Sequence, residues 1–198
     1  MASDDLRETF LALREQCIWI RTCFNTFIGL FESGGVRHQL MDKTAPLFFQ
    51  EINRILYENY ILQVCKLTDK ASTPVKGGKR LNLTVAHVNE LLNAEGMMNQ
   101  AIQDATVGLD RFRTLIEEAR NRLVGHSDKV AVLSFVPLGT HTQQESLAFF
   151  GYMFNYVDAV GNAIGVGPLD FGTTSSSGDV HDLFKALNGG QYPHEDGG

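Results

Sequence analysis

Arg120, Asn121 and His126 are the residues of this sequence whose types and spacing suit a chemical step. They lie in Ala119-Arg120-Asn121-Arg122-Leu123-Val124-Gly125-His126-Ser127-Asp128, an arginine followed directly by a neutral polar residue and then, six positions on, by a histidine. Cleavage of RNA without a metal uses the 2′-hydroxyl beside the scissile phosphate as nucleophile. A group that titrates near neutrality must take or give the protons, which suits His126. A fixed cation must stabilise the negative charge that builds on phosphorus, which suits Arg120. Asn121 would orient a phosphate oxygen or the histidine ring through a neutral hydrogen bond. DNA lacks the 2′-hydroxyl, so the chemistry would be confined to RNA.

These residues must be positioned by a helix. Ile102, Ala105, Leu109, Phe112, Ile116, Ala119 and Leu123 recur alternately three and four apart, the signature of a helix packed along an apolar seam. At about 100° per residue, Arg120 falls roughly 50° from the centre of that stripe, and Arg113 shares its flank. His126 is rotated by about 240° from Arg120 on an unbroken helix. It faces Arg120 only if the helix stops at Gly125, or if it meets the Arg120 of a second subunit. Spacing alone has a plainer explanation too: arginines beside apolar stripes commonly snorkel, and an Arg and a His a few residues apart arise by chance.

The remaining chain reads as further helices. One is predicted over Asp5–Phe31, with Asp5 and Glu8 at capping-box spacing and Ser33-Gly34-Gly35 as its stop. Another runs to about Leu67, with Thr44 as N-cap and Pro46 in the first turn. It is apolar almost all round, as expected of a helix central to a core or set in a subunit interface. Residues 70–83 read as a loop, Thr84 caps a short helix to Ala94, and Gly96 ends it. Gly108 slightly weakens the long seam helix. Val130–Val136 is short and β-branched enough to be extended, and Pro137 and Gly139 break it. The aromatic-rich helix over Gln143–Ile164 suits a core or a dimer surface better than a base-stacking platform, which would need basic companions. Gly161, Gly165 and Gly167 before Pro168 read as its terminator. The expectation is an all-α, up-and-down bundle of four to five main helices in residues 1–165. A linker, a short helix over Asp179–Leu187 and a tail then occupy 166–198.

Composition bounds the function. The chain has 198 residues, 43% hydrophobic and 20% charged, the profile of one globular domain. A net charge of −6 argues against coating nucleic acid by bulk electrostatics but leaves room for a local basic site. No apolar run is long enough to span a bilayer, and no signal-peptide pattern opens the sequence, so a cytoplasmic protein with no membrane partner is expected. Cys17, Cys23 and Cys65 are odd in number, form no C-x-x-C pair and read as buried thiols. His126 and Asp128 lack a second ligand cluster, so no metal and no cofactor is expected. His141, His181 and His194 read as surface residues, His38 and His87 as residues without an evident partner. Asp69 reads either as pairing with an Arg or Lys and so positioning the site, or, more simply, as an exposed cap or surface pair. Lys76, Lys79 and Arg80 belong to the most basic stretch of an acidic chain; they read either as a solvated loop or as a grip on an RNA backbone. Gly77-Gly78 lacks the Gly-Lys-Ser/Thr of a phosphate-binding P-loop.

The motif from Arg120 to His126 resembles the signature of HEPN ribonucleases: an arginine, a short spacer that begins with a polar residue, and a histidine. Val124-Gly125-His126-Ser127-Asp128 is similar to the A-H-S-D ending of the abortive-infection U-type (AbiU-like) group, with Gly125 in place of the small alanine. Tyr60-Ile61-Leu62-Gln63-Val64-Cys65-Lys66-Leu67-Thr68-Asp69, followed after a loop by Leu81-Asn82-Leu83-Thr84, also resembles that group. The two stretches, in this order, cover about residues 45–130, and the pair is more specific than the Arg–His motif alone.

The resemblance implies a helical bundle that dimerises, with the Arg–Asn–His sets of both subunits facing one cleft. It implies a metal-independent endoribonuclease acting on single-stranded RNA, of toxin or phage-defence type, with Arg113, Arg122, Lys76, Lys79 and Arg80 available to hold the strand. Some members of the superfamily only bind. The rival expectation is therefore an interaction module for a nucleotide or a protein partner such as an antitoxin.

Overall fold

The computed structural model describes residues 1–124, 141–169 and 177–189. Among these the architecture is all-α, with one small hairpin. The elements are α1 (Asp4–Phe31), α2 (Gly35–Thr44), α3 (Pro46–Leu67), β1 (Ser72–Val75), β2 (Gly78–Leu81), α4 (Val85–Ala94), α5 (Gln100–Val124), α6 (Gln143–Ala163) and α7 (Val180–Leu187). The four long helices α1, α3, α5 and α6 are the main helices expected. The chain divides into two compact units: Met1–Ile20 with the described part of Ile61–Phe171, and Arg21–Tyr60 with the described part of Gly172–Gly198.

The first unit is built on heptad-like seams. Leu6, Phe10, Leu13, Cys17 and Ile20 of α1 are buried at alternating spacings of four and three. On α5 the predicted seam residues Ile102, Ala105, Leu109, Phe112, Ile116 and Ala119 are all buried. Phe149, Phe150, Met153, Tyr156, Val157 and Val160 of α6 complete the core, so most of that helix's aromatics are packing residues. Gly108 has a packing reason within α5: the Tyr152 ring lies against the helix there, and a Cβ would fall inside it. Gly161 likewise makes room for the chain that turns back over α6, and accepts the N–H groups of Val166 and Gly167 at 2.9 and 3.1 Å.

Several ends differ from the sequence expectation. The cap of α1 is Ser3, whose hydroxyl accepts the Leu6 N–H at 3.2 Å, rather than Asp5. Thr44 is the last residue of α2, not the N-cap of α3; its hydroxyl turns back to the Leu40 carbonyl at 2.7 Å. Residues 70–83 contain a hairpin with Ser72 opposite Leu81 and Val75 opposite Gly78, closed by Gly77 at φ 95°. Thr84 does cap α4, accepting the His87 N–H at 3.1 Å, and Gly96 at φ 67° follows its end. Residues 125–140, on which the readings of Gly125, His126, Val130–Val136 and Pro137 fall, lie outside the described residues, as do His194 and the tail beyond 189.

In the second unit α7 packs rather than floats. Phe184 is fully buried among Leu30, Phe31, Met41 and Phe49. The Arg37 guanidinium stands 5.0 Å from the centre of the Phe184 ring and donates to the Gly29 carbonyl at 2.7 Å. In this unit α3 leaves Leu47, Phe48 and Ile55 largely exposed, whereas its later residues Ile61, Val64 and Leu67 are fully buried in the first unit.

Candidate functional site

The two stretches singled out in the sequence meet where α3 ends beside α5. A helix leaves its last carbonyls without helical partners, and here α5 supplies one. Thr68 is buried, and its N–H and hydroxyl both return to the Val64 carbonyl, at 3.1 and 2.9 Å. Its own carbonyl accepts Arg113 Nη1 at 2.6 Å. The neighbouring Asp69 carboxylate is used on both sides. Oδ1 accepts the Lys70 N–H at 2.9 Å and Arg113 Nη2 at 3.4 Å. Oδ2 faces Arg120 Nη2 at 3.9 Å, ion-pair range but longer than a hydrogen bond.

Arg113 and Arg120 are two turns apart on one flank of α5, as their spacing predicts. Side-chain exposures of 32% for Arg113, 35% for Arg120 and 37% for Asp69 leave all three about one-third open to water. They can therefore meet a solute, which a buried structural cluster could not. Cys65, one turn before Asp69, lies beneath them. Burial pushes its thiol up to about 11, outweighing the opposing pull of Arg120 and Arg113. It is thus no thiolate nucleophile at neutral pH.

Asn121 follows Arg120 and is exposed. The side chain of Arg122 and all of His126 lie outside the described residues. Lys76, Lys79 and Arg80 stand exposed on the hairpin. The hairpin starts directly after Asp69-Lys70, and Asn82 pins its base: its N–H donates to the Ala71 carbonyl at 2.8 Å and its side-chain amide to the Lys70 carbonyl at 3.0 Å. The structure thus brings Arg113 and Arg120 together on Asp69. Among the described residues, no hydrogen bond or ion pair joins them to Lys76, Lys79 or Arg80. Asp69 pairs with arginine, one of the two readings its sequence position offered, and the structure names Arg113 and Arg120 as the partners. The available signal was its place at the end of the second resemblance stretch, where two same-flank arginines need an anion.

His181 is exposed, as expected, whereas His38 has a partner and His141 is not a surface residue. His38 Nε2 lies 2.7 Å from the Phe31 carbonyl, and His181 Nδ1 lies 3.2 Å from Arg37 Nη2. His141 is half-buried, edge-on to Phe112 at 5.3 Å, and burial lowers its pKa. A cavity of about 340 Å³ opens between α5 and α6, walled by Gly108, Arg111, Phe112, Glu145, Phe149 and Tyr152. Among the described residues no three His, Cys, Asp or Glu side chains converge as metal ligands, and no helix is long and apolar enough to cross a membrane.

Compared with known families, residues 3–183 match the family model HEPN_AbiU2, described as AbiU2. No curated protein and no solved structure matches the chain.

Proposed function

This chain belongs to the HEPN_AbiU2 family, and we propose from that premise that it is a metal-independent endoribonuclease acting on single-stranded RNA in the cytosol. It would act as a homodimer whose Arg–Asn–His sets form one composite cleft, in a toxin or phage-defence role. The observation that carries the reading is Arg120, about one-third exposed on a helix flank and held toward Asp69 at 3.9 Å, beyond hydrogen-bond length.

In this reading His126 takes the proton of the 2′-hydroxyl. The 2′-oxygen bonds to phosphorus as the bond from phosphorus to the 5′-oxygen breaks, and the imidazolium of the cleft gives a proton to that 5′-oxygen, leaving a 2′,3′-cyclic phosphate and a 5′-hydroxyl. Arg120 stabilises the charge on the phosphorane through the planar, paired N–H donors of its guanidinium. Asn121 orients the phosphate or the imidazole. Arg113, Arg122, Lys76, Lys79 and Arg80 hold the flanking backbone.

Labelled single-stranded RNA and DNA of one sequence, offered in EDTA to the protein and to His126→Ala, test this. Cutting of RNA alone, lost in the variant, is the expected result. Cutting that survives the substitution, or equal cutting of DNA, would overturn it.

One observation favours a rival. Asp69 places a carboxylate within 3.9 Å of Arg120, which opposes the approach of a phosphate. In that reading the same bundle is a non-catalytic module for a nucleotide or a protein partner such as an antitoxin, and no RNA pool is cut.

A further inference from the structure

The two arginines on the α5 flank are not equivalent, and the Asp69 carboxylate is not symmetric between them. Oδ1 is fixed twice, by the Lys70 N–H at 2.9 Å and by Arg113 Nη2 at 3.4 Å. Arg113 is itself fixed by the Thr68 carbonyl at 2.6 Å, and buried Thr68 is tied to Val64 by both its N–H and its hydroxyl. A chain of short contacts thus runs from the core of α3 to one oxygen of Asp69, leaving the other oxygen aimed at Arg120. At 3.9 Å that oxygen orients the guanidinium through its field without consuming an N–H. Arg113 spends donors inside the chain, whereas Arg120 keeps those that face Asp69.

We infer that Asp69, locked in place by Arg113, is a positioning residue that sets the pose of Arg120 for contact with a phosphate; this rests on the ribonuclease reading of Arg120. A stabilising surface ion pair explains the arrangement less well. Half-exposed pairs contribute little to stability, and the Arg113–Thr68 bond already joins the two helices. A carboxylate beside a phosphate-binding arginine weakens anion binding, so its presence needs a reason, and orientation supplies one. Misplacement of a reacting group by about 1 Å costs on the order of 100-fold in rate.

The test uses the full chain with Asp69→Asn, which keeps the shape and drops the charge, and Arg113→Lys, which loses the paired contact. Three quantities are read: kcat and KM on cleavable RNA, affinity for the same RNA methylated at every 2′-oxygen, and the order of the Arg120 Nε–Hε group by NMR. That resonance is assigned by its loss in Arg120→Lys. Asp69→Asn is expected to lower kcat about 10- to 100-fold. KM and affinity for the methylated RNA should stay level or tighten, and Arg120 should become mobile in both variants. Unchanged kcat and unchanged Arg120 order overturn the inference. So does a fall in affinity matching the fall in rate, which would make Asp69 a binding group. If the unsubstituted protein cuts no RNA, the ribonuclease reading fails by itself. The NMR comparison then decides positioning alone: loss of order upholds it, and no change overturns it.

Discussion

Two polar clusters draw on α5, and they are built to opposite specifications. In the first, the fully buried Tyr156 donates its hydroxyl to Asn89 Oδ1 at 2.9 Å, Asn89 donates to Thr106 at 3.0 Å, and Thr106 returns to the Ile102 carbonyl at 2.8 Å. Every link is neutral and within hydrogen-bond length, and burial holds the phenol protonated. In the second, Arg113, Asp69 and Arg120 are charged, about one-third exposed, and joined at Arg120 only by an ion pair of 3.9 Å. A satisfied network anchored on a buried phenol fixes one packing arrangement. An incompletely satisfied, wet one keeps capacity for a partner from outside. The difference separates two sides of α5: its seam side specifies the fold, and its arginine flank is where the proposed chemistry would take place.

The largest expected contrast comes from Arg120→Ala. RNA cleavage should fall about 100- to 1,000-fold, as when a transition-state donor is removed. The melting temperature should move by no more than about 3 °C, because an exposed pair is worth about 1 kcal/mol or less. Loss of stability in step with activity would erase the distinction between the clusters. Asn89→Ala should do the reverse. Leaving the Tyr156 hydroxyl and Thr106 without Asn89 costs about 1–3 kcal/mol, seen as a lower midpoint in denaturant, while cleavage per folded molecule is unchanged.

Alkaline pH should sharpen the contrast further, with a smaller effect at neutral conditions. Burial raises the Cys17 thiol from its ordinary 9.0 to about 12. A raised pKa means that the folded state favours the protonated thiol. The stability this represents is complete below about pH 9 and is lost as the pH climbs toward about 12. Unfolding free energy should therefore decline above pH 9, and Cys17→Ala should flatten that decline; equal slopes in the two proteins would count against it. The smallest effect is expected on the hairpin. Replacing Lys76, Lys79 and Arg80 with alanine should weaken binding of methylated RNA almost independently of sequence. The slope of log affinity against log salt should fall by about 0.7 per cation that contacts phosphate. An unchanged slope would return these residues to being a solvated turn.

Much of the fold was legible because long amphipathic helices repeat their pattern many times. The α5 seam, the Thr84 cap and Gly96 stop of α4, and the aromatic core of α6 all follow from local periodicity and capping chemistry. Helix α2 was not legible: it starts at Gly35, directly after the Gly34 cap, and buries only Arg37 and Met41, too few positions to establish a period. The hairpin escaped notice because its β2 strand is exposed throughout, so no alternation marks a buried face. The candidate site was half legible. Arg120, Asn121 and the same-flank Arg113 follow from type and spacing. The role of Asp69 depends on a contact with a helix 44 residues further along the chain, which no local pattern encodes. The sequence offered Asp69 as a partner for an Arg or Lys or as a surface pair, but could not say which cations it meets.

The most direct measurement is the chemistry of the cut ends. Single-stranded RNA digested by the purified protein in EDTA would be analysed by mass spectrometry, beside a substrate carrying one 2′-deoxynucleotide at the cleaved position. Fragments ending in 2′,3′-cyclic phosphate and beginning with 5′-hydroxyl, with no cut at the deoxy position, are the expected result for a metal-independent site built on Arg120 and His126. Fragments with 3′-hydroxyl and 5′-phosphate ends, or cleavage beside the deoxynucleotide, would contradict it.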